Sequence, residues 1–194
     1  MAHRTAMALV RNDTSQPIYA VGLAHKYSDQ YQNSDEWDII QPGKTSTKLQ
    51  VDYTTGWWTT GRDWWKVFWV TQDQSTLKKT FHHSDPENLR KAFDTIEGVD
   101  PALWVTLAAS VGSIASTAAG NGPFNKTAAG VAALAARPLT AGFLAPTTTV
   151  GFKQHILREE DDSSSVEIII HEDTTITIKS PSGISQTVST KKEI

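Results

Sequence analysis

The sequence predicts a mainly β domain, an antiparallel β-sandwich or barrel-like fold, with an inserted Ala-rich helical segment over about residues 85–137. Short apolar or alternating segments separated by Asn, Asp, Gly and Pro turns precede and follow that segment. Within the segment, the spacing of apolar residues changes to that of a helix. The length of 194 residues fits a single β-rich domain over 1–194, with a helical excursion over 85–146.

Six strands are predicted before the helical segment. The clearest alternation lies in residues 45–53, where Leu49, Val51 and Tyr53 would share one face of a strand. Pro42-Gly43 ends the strand that precedes it. The predicted strands are 6–10, 18–24, 37–40, 45–53, 64–71 and 76–81.

The helical segment contains two start signals and a third helical stretch. Asp85-Pro86-Glu87 places a capping residue, a proline and an acid at a first helix start. Asp100-Pro101 repeats the signal, and residues 126–136 form the third stretch. Residues 101–125 carry no charge, which is close to the length of a membrane span, but their apolarity comes from alanine. Close-packed soluble helices and a hairpin that inserts into lipid, as in pore-forming proteins, both fit this pattern.

Strands return after the helices. They are predicted at 150–157, 166–171, 174–178 and 185–190, and the β-branched run 166–171 is typical of a buried strand. The polar run Glu159 to Ser165 predicts a solvated hairpin tip. Its acidic residues lack the ligand spacing of a calcium loop.

Charge and residue usage exclude several classes of function. The formal net charge is -3 and no long basic run exists, so duplex nucleic acid is not an expected partner. The absence of cysteine and the short N-terminal apolar stretch predict a cytoplasmic or non-classically secreted protein without a signal peptide. The histidines lack metal-ligand spacing, so we expect neither a metal site nor a cofactor.

The aromatic region is the most distinctive part of the sequence. Five of the seven tryptophans fall within thirteen positions, residues 57–69. Strand alternation places Trp65 and Trp69 on one face and Trp64 and Phe68 on the other. One face is expected to be core. The other is either covered by the helical segment or exposed for binding.

The same region carries a resemblance to a known family. The motifs resemble a small family of uncharacterised fungal and nematode domains described as up-regulated in insulin-receptor (daf-two) mutants. The resemblance spans about residues 7–85. It implies a stress- or defence-linked β domain and no catalytic residues. The motifs are His25-Lys26-Tyr27-Ser28, Trp37, Pro42-Gly43, Tyr53-Thr54-Thr55-Gly56 and Gly61-Arg62-Asp63-Trp64-Trp65.

Three hypotheses for function remain open. The first is a non-enzymatic module that binds a lipid membrane, a carbohydrate or a protein through exposed tryptophans and the helical hairpin. The second is a small β-rich enzyme with an aromatic-lined pocket, although the sequence contains no nucleophile elbow or phosphate loop. The third is a structural role in a homo-oligomer. The candidate binding residues are Trp57, Trp58, Trp64, Phe68, Tyr27, His25, Arg62 and Asp63.

Overall fold

The computed structural model describes residues 1–28, 31–56, 61–85, 101–118 and 152–194. These ranges contain ten strands, one α-helix and one 3-10 turn, Glu159–Asp161. The strands are β1 (Ala2–Asp13), β2 (Ile18–Tyr27), β3 (Tyr31–Ile40), β4 (Leu49–Thr55), β5 (Asp63–Gln72), β6 (Lys79–Ser84), β7 (Lys153–Gln154), β8 (Ser165–His171), β9 (Thr175–Ser180) and β10 (Gly183–Glu193). The helix is α1 (Pro101–Ala118).

The strands form one sheet in the order β3-β2-β5-β6-β10-β9-β8-β1-β4, and β7 pairs with β5. Neighbouring strands are antiparallel, apart from the parallel pair β1 and β8. In that pair Ala8 lies beside Val166, and on the other side of β1 Ala6 lies beside Val51. Both contacts join small or β-branched residues that face the same core.

The sheet curls until its two end strands meet, so the barrel-like alternative of the predicted fold class is confirmed. The Asn33 side chain on β3 donates to Asp52 Oδ2 on β4 at 2.9 Å. It also accepts from the Asp52 backbone N–H at 3.0 Å. One side-chain amide thus stands in for a backbone ladder at the seam, and the barrel is nearly closed.

The barrel interior is the main core. Trp65, Val67 and Trp69 face it from β5, as strand alternation predicts, and Tyr53 faces it from β4. A wall of isoleucines completes it from the opposite side: Ile168, Ile170, Ile176 and Ile178. Burying aromatic and β-branched side chains of this size is the main source of stability for such a domain.

A second core lies between the outer face of the barrel and α1. Leu107 and Val111 of the helix are buried against this face. Phe68 and Phe81 belong to the same cluster, with ring centroids 5.7 Å apart. The helix thus covers part of the outer face, and the start predicted at Asp100-Pro101 agrees with α1. The predicted helical stretches that follow Asp85 and that cover 126–136 lie outside the described residues.

Among the described residues, no helix combines the length and apolarity that crossing a membrane requires.

The prediction of a hairpin tip at Glu159–Ser165 is wrong. The chain makes a 3-10 turn there and enters β8, which pairs in parallel with β1. Asp161 is fully buried. Its carboxylate accepts hydrogen bonds from the N–H groups of Arg158 and Ser182, which compensates for the loss of water. Acidic composition suggests solvent exposure, yet here a carboxylate supplies the acceptor that a buried turn needs.

Candidate functional site

A cavity opens at the end of the barrel where β2 and β4 end and β5 begins. Its volume is about 550 Å³, within the range of small-molecule sites. We call it the mouth cavity. It is lined by Tyr27, Thr54, Thr55, Gly56, Gly61, Arg62, Asp63, Ile156, Leu157, Arg158 and Glu159.

Tyr27 and Gly61 fix one side of the mouth cavity. The Tyr27 hydroxyl donates to the carbonyl oxygen of Thr54 at 2.9 Å and so joins the ends of β2 and β4. A Cβ atom at position 61 would lie 2.0 Å from the Tyr27 ring, which leaves room only for glycine. The chain therefore passes directly against the ring before it enters β5.

Asp63 joins the wall of the mouth cavity to the barrel interior. Its Oδ1 lies 2.8 Å from His25 Nε2, and both side chains are almost completely buried. Its Oδ2 accepts from the Leu157 N–H at 2.9 Å. The His25 ring also lies against Trp65, with centroids 4.4 Å apart. Each Asp63 oxygen is therefore already bonded inside the protein.

The polar contacts continue from His25 to the surface. His25 Nδ1 lies 3.4 Å from Asn33 Oδ1, and Asn33 binds Asp52 across the seam of the barrel. Asp52 Oδ1 lies 3.1 Å from Nε2 of the exposed His3. This network connects five strands through side chains alone, and it holds the barrel end in one geometry.

The turn after Leu157 fixes the opposite side. The Tyr53 hydroxyl donates to the carbonyl oxygen of Arg158 at 2.9 Å, and burial raises the pKa of Tyr53 so that it remains a donor. Arg4 binds Glu159 at 2.6 Å and Asp162 at 2.9 Å. The Thr5 N–H and then Arg4 lower the pKa of Asp162. These contacts hold the turn as part of the wall.

His155 connects the chain after β7 to the β9–β10 hairpin beside the site. Its Nδ1 lies 2.9 Å from Ser185 Oγ and its Nε2 lies 3.0 Å from Ser180 Oγ, both at the β9–β10 hairpin. The Trp65 indole N–H donates to the His155 carbonyl oxygen at 3.0 Å. Burial lowers the pKa of His155, which favours the neutral imidazole.

The structure brings together half of the predicted site residues. Tyr27, Arg62 and Asp63 line the mouth cavity, and His25 lies directly behind Asp63. Trp64 and Phe68 project from the outer face of the barrel, where Phe68 is buried with the α1 side chains and Trp64 is half-buried beside them. Trp57 and Trp58 lie outside the described residues.

Sequence reasoning misses the other eight residues of the lining. Thr54, Thr55 and Gly56 belong to a motif of the family resemblance, which is a usable signal. Arg158 and Glu159 have no such signal, because they come from a distant part of the chain at the start of a polar run that resembles a hairpin tip. Within the described ranges, no group of three or more His, Cys, Asp or Glu residues could hold a metal ion.

Comparison with known proteins identifies a family. No curated protein matches the chain. The model of the family described as Up-Regulated in long-lived daf-2 matches residues 2–189. This match extends far beyond the predicted residues 7–85 and includes the segment that carries α1. The chain therefore belongs to the family of domains described as Up-Regulated in long-lived daf-2.

Proposed function

We propose that this domain is a non-enzymatic binding module that takes a polar ligand of the carbohydrate class in the mouth cavity. One observation carries the proposal: an open cavity of about 550 Å³ with polar and apolar lining is built into a rigid barrel end. A cavity of this size accommodates one or two sugar rings.

The lining offers the contacts that a sugar needs. Threonine residues and two arginines supply hydrogen-bonding groups. Ile156, which is 45% exposed, supplies an apolar surface for the C–H face of a ring. The network behind Asp63 keeps this end of the barrel ordered before a ligand arrives, which lowers the entropic cost of binding.

Binding accounts for the geometry better than catalysis does. The His–carboxylate pair nearest the cavity would be the obvious acid–base pair of an enzyme. However, His25 is buried, and Asp63 uses one oxygen for His25 and the other for the Leu157 N–H. These groups therefore act as supports of the wall, and the exposed lining groups are those suited to binding.

The test is an NMR titration of the ¹⁵N-labelled protein with a panel of neutral and acidic mono- and disaccharides. A ligand in the mouth cavity shifts the amide signals of Thr54, Gly56 and Gly61. The signals of Gly43 and Asp73, in loops at the opposite barrel end, serve as the internal control. A panel in which no sugar shifts the mouth signals selectively would overturn the proposal.

A matched pair of variants tests the apolar wall. Ile156→Ala removes the exposed side chain that lines the cavity, so we expect a severalfold weaker affinity. Ile184→Ala is the control, because Ile184 is 65% exposed on β10 and does not line the cavity. Equal affinities of the two variants would contradict the assignment of Ile156 to the site.

A further inference from the structure

Two arginines at the mouth cavity carry charge that the described wall does not neutralise. Arg62 and Arg158 are exposed and line the same cavity. The carboxylates that line it with them are engaged elsewhere, since Asp63 binds His25 and Glu159 binds Arg4. In the part of the chain that the structure describes, no carboxylate lies within 4.0 Å of either guanidinium.

Both arginines extend from backbone that is held on its N–H and on its carbonyl side. The Arg62 N–H donates to Ser28 Oγ at 3.2 Å, and its carbonyl oxygen accepts from the Ser28 N–H at 3.0 Å. The Arg158 N–H donates to Asp161 at 2.6 Å, and its carbonyl oxygen accepts from the Tyr53 hydroxyl at 2.9 Å. Fixed backbone at both positions keeps the two residues in the lining of the same cavity.

A guanidinium group that faces a cavity and has no carboxylate nearby favours a ligand with anionic oxygen atoms. Its planar set of donors matches a carboxylate or sulfate in paired, charge-assisted hydrogen bonds. A neutral sugar would leave that capacity unused.

We infer that the mouth cavity binds an acidic sugar and that Arg62 and Arg158 hold its anionic group. This inference rests on the proposed carbohydrate-binding function and names the ligand class within it. The cavity walls receive the sugar ring, and the arginines bind the carboxylate or sulfate that the ring carries.

The experiment is isothermal titration calorimetry at fixed ionic strength with glucose, glucuronate, glucose 6-sulfate and inorganic sulfate. We expect the acidic sugars to bind at least about tenfold more tightly than glucose. Their advantage decreases as salt is added, because exposed charges are screened. Comparison of glucuronate with glucose 6-sulfate shows which anionic group is preferred, and tighter binding of either supports the inference.

Variants assign the effect to the two arginines. Arg62→Gln and Arg158→Gln each weaken glucuronate binding about tenfold and weaken glucose binding by a much smaller factor, because the charge-assisted bonds are made only to the anionic group. Arg11→Gln is the control, since Arg11 pairs with Asp13 and does not line the cavity. Circular dichroism and a urea midpoint equal to the parent protein's confirm that each variant folds.

Each remaining outcome is distinguishable. Equal binding of glucose and glucuronate, unaffected by the arginine variants, overturns this inference and leaves the carbohydrate-binding function in place. Binding of inorganic sulfate as tight as that of the acidic sugars also overturns it, because the ring would then contribute nothing. Absence of binding by every sugar overturns the proposed function and the inference together.

Discussion

Among single residues, Asp63 has the most demanding position. It is fully buried, yet it joins three parts of the chain: its own strand, His25 on β2 and the Leu157 N–H after β7. A carboxylate provides acceptors in both directions, which no other side chain of this size does. Removing one partner of a buried pair leaves the other without compensation.

Asp63→Asn is expected to lower the free energy of unfolding by about 3 kcal/mol. The amide is uncharged and has one acceptor oxygen instead of two, so when that oxygen accepts from the Leu157 N–H, His25 Nε2 loses the carboxylate oxygen it faces. Urea denaturation followed by tryptophan fluorescence measures the change. Asp35→Asn, on an exposed part of β3, is the control and should change stability by less than about 0.5 kcal/mol. Equal midpoints for the two variants would show that the buried pair contributes nothing.

Strand alternation is sufficient to assign residues of one strand to their faces. The period of two places Trp65 and Trp69 inside the barrel and Phe68 outside, as the structure has them. The same rule cannot bring together distant parts of the chain, and for that reason the position of Arg62 and Arg158 at one cavity is not predictable. Buried carboxylates such as Asp161 are equally hidden, because an acidic residue in a polar run normally indicates solvent exposure.

Among the elements, the contact between α1 and the barrel decides which aromatic side chains are available for binding. The Phe68 ring lies over Gly22, where an added Cβ atom would be 2.2 Å from the ring's Cζ atom. Gly22 thus lets the ring pack closely against β2, in the same cluster as Leu107 and Val111. Glycine weakens a strand in general, and this close approach explains its presence.

Gly22→Ala is therefore expected to destabilise the domain by about 1–3 kcal/mol through overpacking. Gly183→Ala is the control, because an added Cβ there meets no atom within 4 Å. Replacing Phe68 by leucine in the Gly22→Ala background should recover part of the loss, since the shorter side chain lacks the atoms that clash. Thermal unfolding of the parent, the single variants Gly22→Ala and Phe68→Leu, the double variant and the control measures the effect, and an additive double variant would argue against direct contact.

The types of element were more predictable than their partners. All ten strands of the described ranges overlap segments predicted from apolar patterns and turn residues, although β7 covers only two residues of the predicted strand 150–157. Their order in the sheet was not predictable, because β1 lies between β8 and β4 and its pairing with β8 is parallel. Such pairings depend on contacts between residues distant in sequence, which local patterns do not encode.

For the molecule as a whole, the barrel encloses or shields several histidines in their neutral form. Burial, followed by the charges of Lys191 and His83, lowers the pKa of His82 to about 4. His82 lies parallel to the Trp69 ring, with centroids 5.0 Å apart, and its Nε2 lies 2.9 Å from Thr71 Oγ1. Burial also lowers the pKa values of His83 and His155. All three therefore resist protonation in the folded state.

This arrangement predicts a loss of stability in mild acid. The ordinary pKa of a histidine side chain in an unfolded chain is 6.5. Above that pH the three side chains are neutral in both states and do not change the free energy of unfolding with pH. Below pH 6.5 the unfolded chain binds protons that the folded protein does not bind, so the free energy of unfolding decreases as the pH falls. For His82 the loss extends from pH 6.5 to about 4, the pKa in the folded state. Its slope reaches at most about 1.4 kcal/mol per pH unit.

Urea denaturation of the parent protein and of His82→Gln between pH 7.5 and 4 measures this effect. Glutamine keeps a polar group opposite Thr71 but does not titrate, so the variant should lose stability less steeply below pH 6.5. His155→Gln should reduce the slope in the same direction, since its neutral form is also favoured by burial. The carboxylates of Asp162 and Asp173, whose pKa values are lowered by backbone hydrogen bonds, lose their contribution at lower pH and so leave this window to the histidines. Superimposable pH profiles for the parent and both variants would mean that the barrel does not hold these histidines neutral.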